Sequence, residues 1–168
     1  GKGTCFEVIL DLRISEKTDA DCNRKKAEKE ETDTHRLKGL RFLCAEDNEL
    51  NAEILKELLH MEGADCVICP NGRSVVDTFE QSVPGDYDMI LMDVQMPVMN
   101  GYEATKAIRK GKHPLARTIP IIAMTANAFS EDVQKSLSAG MNAHISKPMD
   151  MKKLARVVKK ERIKFGLK

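Results

Sequence analysis

From Gly39 onward the sequence alternates, five times over, a short apolar run with a segment of helical period. The runs are LRFLCA (40–45), ADCVIC (64–69), YDMILMD (87–93), TIPIIAMTA (118–126) and NAHISK (142–147). After the first comes NELNAEILKELLHME (48–62), with Leu50, Ile54, Leu58 and Met61 at helical spacing. GRSVVDTFEQS (72–82), GYEATKAIRK (101–110) and SEDVQKSLSAG (130–140) follow the next three, the last with Ser130 as N-cap and Gly140 as stop. MDMKKLARVVKKERIK (149–164) closes the series. Continuous apolar runs suit strands buried on both faces, and parallel strands need a helical crossover between them. Five strands alternating with five helices therefore predict an α/β fold, a doubly wound five-stranded parallel sheet covered on both faces. In such a sheet the ligand site lies beyond the carboxyl ends of the strands.

The residues that close each run are therefore the ones to inspect. The first run leads into CAEDN, which supplies Glu46 and Asp47. The third ends in Asp93, the fourth supplies Thr125, and the fifth ends in Lys147 followed by Pro148. The second leads into CPNG and offers nothing chargeable. Taken singly, each has an ordinary role. Asp93 would stop a strand, Glu46 and Asp47 would cap a helix, Thr125 and Lys147 would face water, and Pro148 would start the last helix. Their arrival together at one end of the sheet is what favours chemistry. Three carboxylates in one place raise one another's pKa unless a cation lies between them. An oxygen-rich set without His or Cys suits Mg²⁺. A carboxylate beside such an ion, faced by a hydroxyl and an ammonium, can accept a phosphoryl group and needs no separate base. Asp93, in mid-sheet, is the candidate nucleophile.

Bulk properties exclude several alternatives. A net charge of +1 and the absence of Trp argue against a nucleic-acid surface. No apolar run approaches the ~18–20 residues that cross a bilayer, and no signal peptide stands at the N-terminus. Cys5, Cys22, Cys44, Cys66 and Cys69 are odd in number and form no disulfide framework, which points to reduced thiols in a cytoplasmic protein. Cys66 and Cys69 make a single CxxC without the second pair that a zinc site needs. Residues 1–15 alternate Phe6, Val8, Leu10 and Leu12 with Glu7 and Asp11, the period of a half-buried strand. Residues 16–38 are charged in both signs, with Leu37 the only large aliphatic side chain and His35 among them, and read as a tether.

With these residues in view, Gly39 to about residue 163 resembles a two-component response-regulator receiver domain. AEDN, MILMDVQMPVMNGYEA, IIAMTA and GMNAHISKP carry the resemblance, in the family's order and spacing. It implies a flavodoxin-like fold with sheet order 2-1-3-4-5. It implies Asp93 as phosphoacceptor, and Mg²⁺ held by Glu46, Asp47, Asp93 and the backbone carbonyl of Gln95. Thr125 would be the switch hydroxyl, with Ala126 beside it, and Lys147 the phosphate-binding lysine before a cis Pro148. The family's aromatic switch position, three residues before the lysine, is His144 here. It either swings in place of a Phe or Tyr ring or is a surface residue of the strand.

The opening GKGTCFEVILDL is similar to the closing strand of the ATP-binding domain of histidine kinases. The expected layout is then a kinase remnant (1–15), a charged linker (16–38) and a receiver (39–168), the order found in hybrid sensor histidine kinases. That resemblance implies a phosphohistidine donor, either the kinase domain of the same protein or a histidine phosphotransfer protein. It implies a cytoplasmic receiver, able to hydrolyse its own phosphoaspartate, in a parent kinase that a membrane can anchor. The expectation is that no DNA-binding output domain follows the last helix, and that the face of the fourth helix, fifth strand and fifth helix suits homodimerisation. Three rivals compete. A haloacid dehalogenase-type phosphatase wants an acid two residues after the nucleophile, where Gln95 stands. A flavodoxin-like flavin binder wants a Ser/Thr/Gly-rich loop where this chain has EDNELN. A receiver-like interaction module without phosphotransfer would not need the intact acidic set.

Overall fold

A computed structural model describes residues 35–126 and 130–165. The described residues belong to one compact unit, Thr34–Lys168. The strand expected over 1–15 and most of the charged tether lie outside the described residues. Strands β1 (Arg41–Ala45), β2 (Asp65–Cys69), β3 (Met89–Asp93), β4 (Ile121–Thr125) and β5 (Ala143–Ser146) alternate with five helices. These are α1 (Glu49–Met61), α2 (Gly72–Gln81), α3 (Gly101–Lys110), α4 (Ser130–Ala139) and α5 (Met151–Phe165). All four strand pairings are parallel, and the order is β2-β1-β3-β4-β5. This is the expected doubly wound sheet. β4 is shorter than the run 118–126, since Pro120 has no N–H to give the ladder.

β3 and β4 are buried at every position, as strands covered on both faces must be. On one face Phe42, Cys44, Met89, Leu91, Ile122 and Met124 meet Leu55 and Leu59 of α1 and Leu154 and Val158 of α5. On the other, Leu43, Ile90, Met92 and Ile121 meet Val75 and Phe79 of α2 and Ala104 and Ile108 of α3. Cys44, Cys66 and Cys69 are free thiols. Three residues apart on a strand, Cys66 and Cys69 join opposite faces of the sheet and cannot share a metal.

Two details depart from the sequence reading. The apolar series Leu50, Ile54, Leu58, Met61 is not the buried stripe of α1, because Leu55 and Leu59 fill that role. Leu50, Ile54 and Met61 are 65%, 50% and 71% exposed. Both series have helical period, and the phase is chosen by how the chain leaves β1, where Asn48 caps the helix. The compact unit also begins before Gly39. Leu37 is only 1% exposed and donates its N–H to Glu62 O (3.1 Å), while the Gly39 N–H reaches Gly63 O (2.9 Å). The last residues of the charged segment thus belong to the fold.

Candidate functional site

Parallel pairing carries the residues that follow β1, β3, β4 and β5 to one edge. Glu46 and Asp93 are 4% and 6% exposed, and Asp47 is exposed beside them. One carboxylate oxygen of each lies within 4.8 Å of the others. Lys147 Nζ bridges two of them, donating to Glu46 Oε2 at 2.5 Å and to Asp93 Oδ2 at 2.6 Å. Its backbone N–H donates to Thr125 O (2.7 Å), which ties the lysine to the end of β4, and the Lys147–Pro148 peptide is cis. Asp93 Oδ1 accepts the Gln95 N–H at 3.1 Å, and Glu46 Oε1 accepts Asn51 Nδ2 at 3.0 Å. The structure therefore gathers Glu46, Asp47, Asp93 and Lys147 in one cluster.

Local structure explains why Asp93 stays in place. It ends a five-residue strand hydrogen-bonded between β1 and β4. Gly101, the first residue of α3, packs against it, since a Cβ there would stand 2.3 Å from Asp93 O and 2.9 Å from Met92 Cγ. Asn100 caps α3 in a reciprocal box with Glu103. Between them the loop is anchored by buried Val94 and Met96 and turns at Val98, which has φ of 68° and a hydrogen bond from Met99 N to Pro97 O spanning it. Val98 is 84% exposed at this edge. A cleft of about 440 Å³ opens beside the cluster, lined among others by Gln95, Tyr102, Thr125, Ala126 and Lys135. Thr125 and Ala126 line this cleft, whereas Glu46, Asp47, Asp93 and Lys147 are not among its described lining residues. His144 pairs with Ala123 in the β4–β5 ladder, is half-buried, and is not among the described residues lining that cleft.

The electrostatics follow from burial and from Lys147. Burial pushes the Asp93 carboxyl above its usual range, Lys147 and the Gln95 N–H pull it down, and Glu46 pushes it further up. Burial draws the Lys147 ammonium downward, but hydrogen bonds to Asp93 and Glu46 outweigh it and leave the group raised. Three carboxylates around a single ammonium form an oxygen-only donor set short of positive charge, which suits a hard divalent ion such as Mg²⁺. Asn51 had no place in the sequence reading. Its signal was its position in the first turn of α1, five residues after Glu46.

Comparison with known proteins gives a consistent picture. The family model described as "Response regulator receiver domain" matches residues 42–159. Hybrid signal transduction histidine kinase I of Dictyostelium discoideum is 39% identical over 127 residues, which is 74% of this chain but 7% of that protein. The receiver domain of sensor histidine kinase PA1611 from Pseudomonas aeruginosa PAO1, solved with a magnesium ion coordinated in its active site cleft, is 36% identical. Its TM-score is 0.65, over 73% of this chain and 96% of that one. A chain from the co-crystal structure of the Saccharomyces cerevisiae histidine phosphotransfer protein Ypd1 with the receiver domain of its response regulator Ssk1 is 28% identical. It has a TM-score of 0.61 over 71% of this chain and 86% of that one.

Proposed function

This chain belongs to the response regulator receiver domain family, and on that premise we propose that Asp93 is its phosphoacceptor. The observation that carries the assignment is the seat of Asp93, buried at the end of a central strand and 2.6 Å from Lys147. Glu46, Asp47, Asp93 and the Gln95 carbonyl would hold Mg²⁺. When bound, the ion supplies positive charge toward the phosphoryl oxygens and offsets the repulsion among the carboxylates. The ionised Asp93 carboxylate attacks phosphorus in line. A P–O bond to Asp93 forms as the P–N bond to the donor histidine breaks, and the imidazole leaves with its electron pair. Lys147 shifts from carboxylate to phosphoryl oxygen, and the Thr125 hydroxyl donates to another of those oxygens.

The donor is a phosphohistidine, on the kinase domain of the same protein or on a phosphotransfer protein. Exposed apolar side chains on the elements that follow β1 and β3 support docking of a folded donor: Leu50 and Ile54 lie on α1, which starts two residues after Asp47, and Val98 lies in the loop after Asp93. A hybrid kinase is the parent this layout suggests, with residues 1–15 as the closing kinase strand and a linker that ends where the compact unit begins. No helix among the described residues is long and apolar enough to cross a membrane. The test is incubation with acetyl phosphate and Mg²⁺ followed by intact-mass measurement. The wild type should gain one phosphoryl group, EDTA should prevent it, and Asp93→Asn should not label. Labelling of Asp93→Asn, or labelling indifferent to EDTA, overturns the assignment.

A further inference from the structure

Asn51 makes two hydrogen bonds of different kinds. Its backbone N–H donates to Oδ1 of the N-cap Asn48 at 3.0 Å, a bond that any residue at this position except proline would make. Its side chain turns back toward the end of β1, where Nδ2 donates to Glu46 Oε1 at 3.0 Å. The other oxygen of that carboxylate, Oε2, accepts from Lys147 at 2.5 Å. Each oxygen of a buried Glu46 is thus held by a donor from a different element, one on α1 and one after β5. Two bonds to opposite oxygens fix the plane of the carboxylate.

We propose that Asn51 is a positioning residue for the metal centre, holding Glu46 in the orientation in which Mg²⁺ is bound and so setting Mg²⁺ affinity and selectivity. The role rests on the assignment of Glu46 to the metal. The residue type fits the task. An amide N–H orients a carboxylate without carrying a charge of its own. A lysine or arginine there would compete with the ion, and an aspartate would repel Glu46. Lys147 cannot perform this function, because its ammonium must release the Glu46 oxygen when phosphate or metal arrives. Partners of metal-ligating groups typically cost ~10–100-fold in metal affinity when removed. The cost should depend on the ion. Mg²⁺ demands near-ideal octahedral geometry, whereas Ca²⁺ tolerates irregular sites and would accept a loosely held Glu46 more readily.

The experiment compares the full chain with Asn51→Leu, which is nearly isosteric and lacks the donor. Calorimetry gives the affinities for Mg²⁺ and for Ca²⁺, and a thermal melt without metal gives stability. Leucine is the better helix former, so a residue serving only the helix would leave the melt unchanged or raised and the metal affinities untouched. The positioning role predicts instead that Mg²⁺ binding weakens about tenfold or more and Ca²⁺ binding weakens less, while the metal-free melt falls by no more than the few degrees that one lost hydrogen bond to a buried carboxylate costs. Should the leucine disturb the fold, Asn51→Ala is read in the same way. Mg²⁺ affinity within twofold of wild type, in a wild type that binds Mg²⁺, overturns the role of Asn51 alone. Equal losses for both ions together with a melt lowered beyond those few degrees would also overturn it, as damage to the helix. A wild type that does not bind Mg²⁺ overturns the metal assignment itself, and the positioning role with it.

Discussion

Replacing Lys147 by alanine removes the ammonium that bridges Glu46 at 2.5 Å and Asp93 at 2.6 Å. Both carboxylates stay behind, almost entirely buried, with Asp47 close by. At an effective dielectric of about 20, each contact is worth roughly 6 kcal/mol of bare Coulomb energy. Most of that is cancelled by desolvation of the ions, and the lysine's partial exposure to water screens part of the rest. A net loss of about 1–3 kcal/mol is the reasonable scale for breaking a half-buried network of this kind. In a domain of this size that lowers the melting temperature by roughly 3–10 °C. Mg²⁺ should respond in the opposite direction. The charge that neutralises the metal-free site competes with the ion, so its removal should tighten Mg²⁺ binding, tenfold for every ~1.4 kcal/mol. Labelling by acetyl phosphate should still slow, because no ammonium remains to meet the phosphoryl oxygens. Thermal melts with and without millimolar Mg²⁺, together with a labelling time course, test all three effects. A metal-free melt at or above the wild-type value, combined with unchanged or weaker Mg²⁺ binding, would refute the view that Lys147 balances the site.

Asp93 gives a prediction with a definite pH direction. Burial holds its carboxyl above the usual range, so its contribution to stability is complete below the unfolded pKa of about 3.9 and is lost as pH rises through the folded value. Metal-free Asp93→Asn should therefore be more stable than wild type at neutral pH, and the difference should close in acid. Urea midpoints at both pH values check this, and a pH-independent difference would contradict it. On α1, Leu59→Ala empties a fully buried site and should cost about 2–5 kcal/mol. Ile54→Ala should stay within about 0.5 kcal/mol and slow transfer from a phosphohistidine donor but not from acetyl phosphate. Equal destabilisation by the two would show that the stripes are wrongly assigned.

What could be read in advance was whatever depends on strand direction. Lys147 and Asp93 are 54 positions apart, yet parallel pairing brings the ends of all strands to one edge, so their arrival there follows from the alternation of elements, while their meeting also needs the strand order, which leaves only β4 between them. The phase of α1 does not follow in that way. Leu50, Ile54, Leu58 and Met61 have the same period as Leu55 and Leu59, and period says nothing about which series turns inward. The choice is tertiary, fixed by the departure from β1 and the Asn48 cap. Leu37 was hidden for a different reason. One apolar residue among charges carries no pattern, and its burial depends on the α1–β2 turn, where Glu62 and Gly63 accept the backbone N–H groups of Leu37 and Gly39.

Asn51 shows a third kind of illegibility, since an amide in a first helical turn reads as an ordinary polar surface residue. Its meaning appears only when Glu46 is seen to need a second donor. The same distinction explains why an apolar strand ends in Asp93. Hydrophobic burial holds the backbone of β3 still, and Gly101 admits α3 to within van der Waals contact of the Asp93 carbonyl. The carboxylate then needs only two contacts of its own, the Lys147 ammonium at 2.6 Å and the Gln95 N–H at 3.1 Å. A nucleophile must exchange its partners during reaction, so it is better fixed through its backbone than through its oxygens. Glu46 lies just past the end of β1, where its backbone N–H donates to Cys69 O at 3.1 Å, and both of its carboxylate oxygens are held as well, one by Asn51 and one by Lys147.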